Sequence, residues 1–104
     1  MHRLREIQSL QMHRRIAALM EHSPDAVIRK ALCNLHAWIE RQKDSPPGVF
    51  QEWLDMLNHM PPREIAGFIV SDNEEAARMR QSSPFAGVLS PQEVWAIKRS
   101  HEAA

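Results

Sequence analysis

The side chains with the most chemistry to offer are six histidines, His2, His13, His22, His36, His59 and His101, and one thiol, Cys33. Imidazole and thiolate are the usual ligands of zinc. Cys33 and His36 stand one helical turn apart, so they could give two ligands to one ion. A structural zinc site takes about four ligands, and no HExxH run and no second cysteine completes the set. The sequence therefore predicts no metal and no other cofactor, with Cys33 read as a small buried thiol and His36 as a histidine at the edge of the core. Acyl transfer would need a serine or cysteine beside a histidine base and an orienting acid. No G-x-S-x-G turn presents a nucleophile, and with three glycines in the whole chain there is no phosphate-cradling loop. There is also no tyrosine to act as acid or base. No residue is nominated as catalytic, and the chain reads as non-enzymatic. Ser82 and Ser83 follow Arg78 and Arg80, a grouping that could meet a phosphate. The two arginines lie about 200° apart on a helix, however, and serines ahead of a proline usually satisfy backbone groups of a turn.

The elements that must position these groups form one modest domain. The 104 residues include 13 Lys plus Arg against 13 Asp plus Glu, and 43% are apolar. A chain of 12.0 kDa should bury about 65% of its unfolded surface, enough for a single core. Zero net charge argues against a protein that coats nucleic acid. The N-terminal residues contain no apolar run of signal-peptide length, and no stretch approaches the ~18 apolar residues of a membrane span. The expectation is a cytoplasmic protein that does not engage a membrane.

Seven prolines fall only between segments of helical periodicity. They divide the chain into helices over about 3–22, 24–43, 48–60, 62–70, 72–81 and 91–101. Ser23-Pro24-Asp25 offers an N-cap hydroxyl, a proline at the first helical position and an acid in the first turn. Ile28, Ala31, Leu32, Leu35, Trp38 and Ile39 then keep within an arc of about 120°. Phe50, Trp53, Leu54, Leu57 and Met60 repeat likewise, and Met60-Pro61-Pro62 ends that run. Ile65, Phe68 and Ile69 share one face of the next helix. Ser71-Asp72-Asn73-Glu74 and Ser90-Pro91-Gln92-Glu93 both have capping-box form. Between the last two helices, 82–89 fits no periodicity yet is apolar at Phe85, Val88 and Leu89, so it should cross the bundle with those side chains tucked in. Trp95 should close the bundle from the last helix. The fold class is all-α: a compact bundle of five to six short helices with an extended apolar segment before the last.

The first helix is irregular. Leu4, Ile7 and Leu10 share one stripe, whereas Met12, Ile16, Leu19 and Met20 share another, displaced by roughly 150°. Either the helix breaks near 9–11, or its first turns carry a stripe that the domain itself does not cover. Charge is polarised too. Residues 1–20 carry Arg3, Arg5, Arg14 and Arg15 against Glu6, while 44–75 carry seven acids against Arg63 alone. Such opposed blocks suit pairing between helices or between subunits.

Segment 62–81 can be read as a helix-turn-helix, but its second helix opens on Asp72, Glu74 and Glu75, carboxylates where bases and phosphates would lie. A DNA-binding regulator using this element or the basic first helix is the alternative reading.

The run Arg78-Met79-Arg80-Gln81-Ser82-Ser83-Pro84-Phe85-Ala86-Gly87-Val88-Leu89-Ser90-Pro91-Gln92-Glu93-Val94-Trp95 resembles the ending of a group of small, mostly uncharacterised bacterial helical proteins. These finish in an LRQSSPFAGVL-x-P-x-E-x-W stretch, and here Met79 replaces the first leucine. The resemblance implies a companion protein of the kind associated with toxin–antitoxin or nucleotidyltransferase operons. It transfers no catalytic residue. The expected function is thus a protein-interaction module, antitoxin-like, binding a toxin-like partner, an operon neighbour or another copy of itself. Its candidate contact residues are Leu4, Ile7, Leu10, Arg14, Arg15, Arg78, Arg80, Ser82, Ser83 and Phe85.

Overall fold

The computed structural model describes residues 2–102, with side chains over 3–100. Six helices follow one another: α1 (His2–His22), α2 (Pro24–Arg41), α3 (Gly48–His59), α4 (Pro62–Ile69), α5 (Glu74–Arg80) and α6 (Pro91–Glu102), with no strand among the described residues. The all-α bundle expected from the proline pattern is the observed fold. α1 is its axis. It packs on α4 most extensively, and also on α2, α5 and α6.

Proline sets most of the boundaries. Pro24, Pro62 and Pro91 each occupy the first helical position, where a missing N–H costs nothing. Ser23, the expected cap of α2, makes no side-chain cap bond. Its backbone instead continues the ladder, with Ser23 N donating to Leu19 O and Val27 N to Ser23 O. The helix starts where predicted, but proline rather than the hydroxyl defines the start. It ends at Arg41, two residues early, because Gln42 N–H turns back to Ile39 O and Trp38 O.

The two capping boxes behave differently. At α6 the box forms in both directions: Glu93 N donates to Ser90 Oγ at 3.2 Å, and Ser90 N to Glu93 Oε1 at 3.4 Å. At α5 it does not. Asn73 caps that helix, its Oδ1 accepting from Ala76 N at 2.8 Å, while Ser71 Oγ accepts from the Asn73 side-chain amide. Asn is as good a cap as Ser and stands directly before Glu74, so α5 begins two residues later than expected.

The core draws on α1 through Ile16 and Met20, on α2 through Val27, Ala31 and Leu35, on α3 through Phe50, Trp53 and Leu57, and on α4 through Ile65 and Ile69. Trp53 lies at its centre, fully buried, with its indole N–H donating to Met79 O at 3.2 Å. A buried Trp needs such an acceptor, and α5 supplies it. Phe85, 3% exposed, meets Trp53 edge-on with centroids 5.7 Å apart, and Pro84 beside it is fully buried. Segment 82–89 therefore sends Pro84, Phe85 and Leu89 inward, as its apolar residues suggested, while Ala86 and Gly87 stay exposed. Gly87 allows the chain to turn there, at φ +82°, with Val88 N closing back on Phe85 O.

Two sequence expectations are corrected by this packing. Trp95 does not close the bundle: it is 59% exposed, because α6 meets its neighbours through Val94 and Ile97, and Trp95 points about 100° away from Val94. Cys33 is exposed rather than buried, since the core face of α2 runs through Ala31 and Leu35 and Cys33 falls on the other side.

Two substitutions check this packing. Phe85→Ala should lower unfolding free energy by about 3–5 kcal/mol in denaturant titrations. A Cβ added at Gly67, inside α4, meets nothing within 4 Å. Gly67→Ala should therefore raise stability by about 0.5–1 kcal/mol in the same assay.

Candidate functional site

Two of the residues expected to contact a partner, Ser83 and Phe85, meet at one histidine. His13 stands on the core side of α1, three and seven residues before Ile16 and Met20, and is 4% exposed. Its Nδ1 lies 2.7 Å from Ser9 O and its Nε2 lies 2.8 Å from Ser83 Oγ. A carbonyl can only accept, so Nδ1 carries the proton and Nε2 accepts from the Ser83 hydroxyl. The ring also meets Phe85 edge-on at 6.0 Å. Burial pushes the imidazolium form down to about 4, against the Ser9 bond, which favours it, while Arg80 adds a small repulsion.

Segment 82–89 is held from a second side by Asn34. Its amide nitrogen donates to Pro84 O and Ala86 O, each at 2.8 Å. Ser83 Oγ accepts from Phe85 N at 3.4 Å, tightening the turn. Backbone groups carried into a core must find partners, and Asn34 and the Ser83 hydroxyl supply some of them here, while His13 fixes that hydroxyl.

A serine beside a histidine whose other nitrogen is oriented by an acceptor is the arrangement of a nucleophile and its base. Here burial makes the ring about two orders of magnitude less basic than ordinary imidazole, far from the neutral value that suits general-base work. Its bond to the Ser9 carbonyl instead orients the ring within α1, and its bond to Ser83 fixes α1 to the segment.

Arg80 is the buried charged side chain of the described residues, 8% exposed. Its Nη1 donates to Ile69 O at 3.3 Å and to Ser71 O at 2.5 Å, capping the negative end of α4. Burial pulls the guanidinium below its ordinary value, while Glu6 and Asp72 act to hold it up. Arg78, on the opposite side of α5, is a surface group bound to Glu52 at 2.7 and 3.1 Å and also to Glu75. Its bond holds Glu52 below the usual carboxylate range.

The expected contact residues thus separate into surface and interior. Leu4 and Ile7 are 42% and 40% exposed on an unbroken α1, so the helix does not break near 9–11. Residues 2–22 contain neither Gly nor Pro, and nothing interrupts the backbone ladder. Leu10 is half-buried, and Arg14 is exposed beside a groove of about 860 Å³ between α1 and α4. Arg15 pairs with Glu93 at 3.0 Å, joining α1 to α6. Ser82 is half-buried, and Ser83 is committed to His13. Phe85 and Arg80 are interior groups, because Phe85 fills the space between Trp53 and His13 and Arg80 caps α4, and what they leave open only lines clefts beside α1. Among the described residues, no ion pair joins the basic start of α1 to the acidic 44–75 block.

Sequence reasoning passed over His13 and Asn34. The spacing of His13 to Ile16 and Met20 marks it as a core position. Nothing local marks Asn34, whose partners lie about fifty residues on. Cys33 and His36 are both exposed on α2, and no group of three His, Cys, Asp or Glu side chains gathers among the described residues. The side chains of His2 and His101 lie outside the described set. Two open clefts flank the start of α1, of about 540 and 470 Å³, and Arg80 lines both. No described helix is long and apolar enough to cross a membrane. No family model, curated protein or solved structure matches the chain.

A neutral His13 ties stability to pH. The unfolded chain binds a proton at this ring near the ordinary 6.5 and the folded chain only near 4. The stabilisation is complete above about pH 6.5 and is lost as pH falls toward 4, up to about 3 kcal/mol. Melting temperature measured between these values should fall steadily. His13→Gln, less stable at neutral pH, should show a shallower fall.

Proposed function

We propose that the chain is a cytoplasmic, non-enzymatic protein-interaction module, a companion subunit of antitoxin type that binds its partner through the first turns of α1. The observation that supports this reading is the exposed stripe of Leu4 and Ile7 on a helix that remains unbroken. Apolar side chains on a continuous helical face are the usual anchors for a partner groove. Arg3 and Arg5, both exposed, border the stripe and favour a groove with an acidic rim. The alternative of direct DNA recognition through α4 and α5 finds less support. α5 exposes Glu74 and Glu75, and its exposed Arg78 is already engaged by Glu52 and Glu75.

The test is a tagged full-length chain co-expressed with the product of its neighbouring gene, alongside the chain alone, with masses measured by light scattering. A stoichiometric complex, or a dimer of the chain, should form. Leu4→Glu with Ile7→Glu should weaken it by at least about 100-fold while leaving the melting temperature unchanged, since anchor residues are worth roughly 2 kcal/mol or more each. A monomer that binds no neighbour, or a complex indifferent to the double substitution, would overturn the reading.

A further inference from the structure

The larger cleft beside α1 carries a chemistry that the exposed stripe does not need. Its cationic lining residues are Arg5, Arg80 and Lys98, and among the described residues no carboxylate lines it. Gln8, Ser9 and Ser83 add polar atoms, and Met12, Ile16, Phe85 and Leu89 form an apolar wall. The volume of about 540 Å³ is that of a small-molecule site.

Arg80 points to what enters. A buried guanidinium is costly unless its charge and its five N–H donors are met. Among the described residues Arg80 forms no ion pair, and both of its hydrogen bonds come from Nη1. No buried side-chain nitrogen or oxygen of the described residues lacks a partner, so Nε and Nη2 are open to the adjoining clefts that Arg80 lines, the smaller of which also holds Glu6. An arginine anchored by one nitrogen on the end of α4, with its other donors open to the clefts and Glu6 and Asp72 acting on its charge without an ion pair, can hold an oxyanion by its fork.

We propose that this cleft binds a small phosphate monoester, its phosphoryl group held by Arg80 with Arg5 and Lys98 and its organic body against the wall of Met12, Ile16 and Phe85. Three cations suit a dianion better than a carboxylate, and the apolar wall gives an organic ester an advantage over inorganic phosphate. His13 contributes no charge, since both ring nitrogens are occupied within the fold.

Calorimetric titration of the full chain at neutral pH and low salt tests this, with phenyl phosphate, inorganic phosphate and benzoate as probes. Phenyl phosphate should saturate one site and bind at least about tenfold more tightly than either of the others. Arg80→Lys removes the fork but disturbs the α4 cap, so the deciding variants are Arg5→Glu and Lys98→Glu, both at exposed positions. Each should weaken phenyl phosphate by about tenfold or more with the melting temperature unchanged. Equal binding of phenyl and inorganic phosphate would mean an adventitious ion only. That result, tighter binding of benzoate, absence of saturation, or full affinity in both charge-reversed variants would overturn the proposal. The stripe of Leu4 and Ile7 lies outside this cleft, so failure here leaves the protein-interaction reading standing, and the reverse also holds.

Discussion

The fold depends on burying a stretch of chain that is not a helix. Segment 82–89 brings Pro84, Phe85 and Leu89 into the core, and its polar backbone comes with them. Dry carbonyls and amides cost free energy unless matched. Asn34 of α2 matches two of these carbonyls, while His13 of α1 takes the Ser83 hydroxyl and Trp53 of α3 bonds Met79 of α5 just upstream. Phe85 then sits between two rings, His13 and Trp53, each edge-on. The last quarter of the chain thereby links side chains of α1, α2 and α3.

This arrangement also explains why α1 has two characters. From His13 onward its inner side is committed to the core and to the buried segment. Before that point Met12 still packs against the core, while Leu4 and Ile7 are exposed. Neutral net charge conceals a similar division. Arg15 and Arg78 are engaged with Glu93 and Glu52, whereas the acids of 44–75 and the first arginines of α1 do not meet each other in this chain. Exposed pairs of this kind add little stability individually, so the polarity bears on what the surface attracts more than on what holds the fold.

Much of the helix layout was legible because proline acts locally. Pro24, Pro62 and Pro91 fix φ and start helices wherever they fall, and the Ser90–Glu93 box acts within one turn. What could not be read depends on distant partners. Asn34 has no periodic signature, and Arg80 carries the outward appearance of any helical arginine until the end of α4 is placed beneath it. Trp95 misleads for the opposite reason: its size suggests the core, but Val94 and Ile97 already occupy the packing face. The site was half legible. Phe85 was identifiable as an inserted side chain, while the hydrogen-bonding histidine that receives it was not singled out.

The state of the His13 ring tests the buried network most directly, and long-range nitrogen–proton NMR of the imidazole reads it. If Ser83 and Ser9 hold the ring as described, Nδ1 carries the proton in a single neutral tautomer, and the nitrogen shifts stay constant as pH is lowered until near 4. A ring that titrates near 6.5, or that mixes tautomers at neutral pH, would mean that segment 82–89 is not locked into the core through His13.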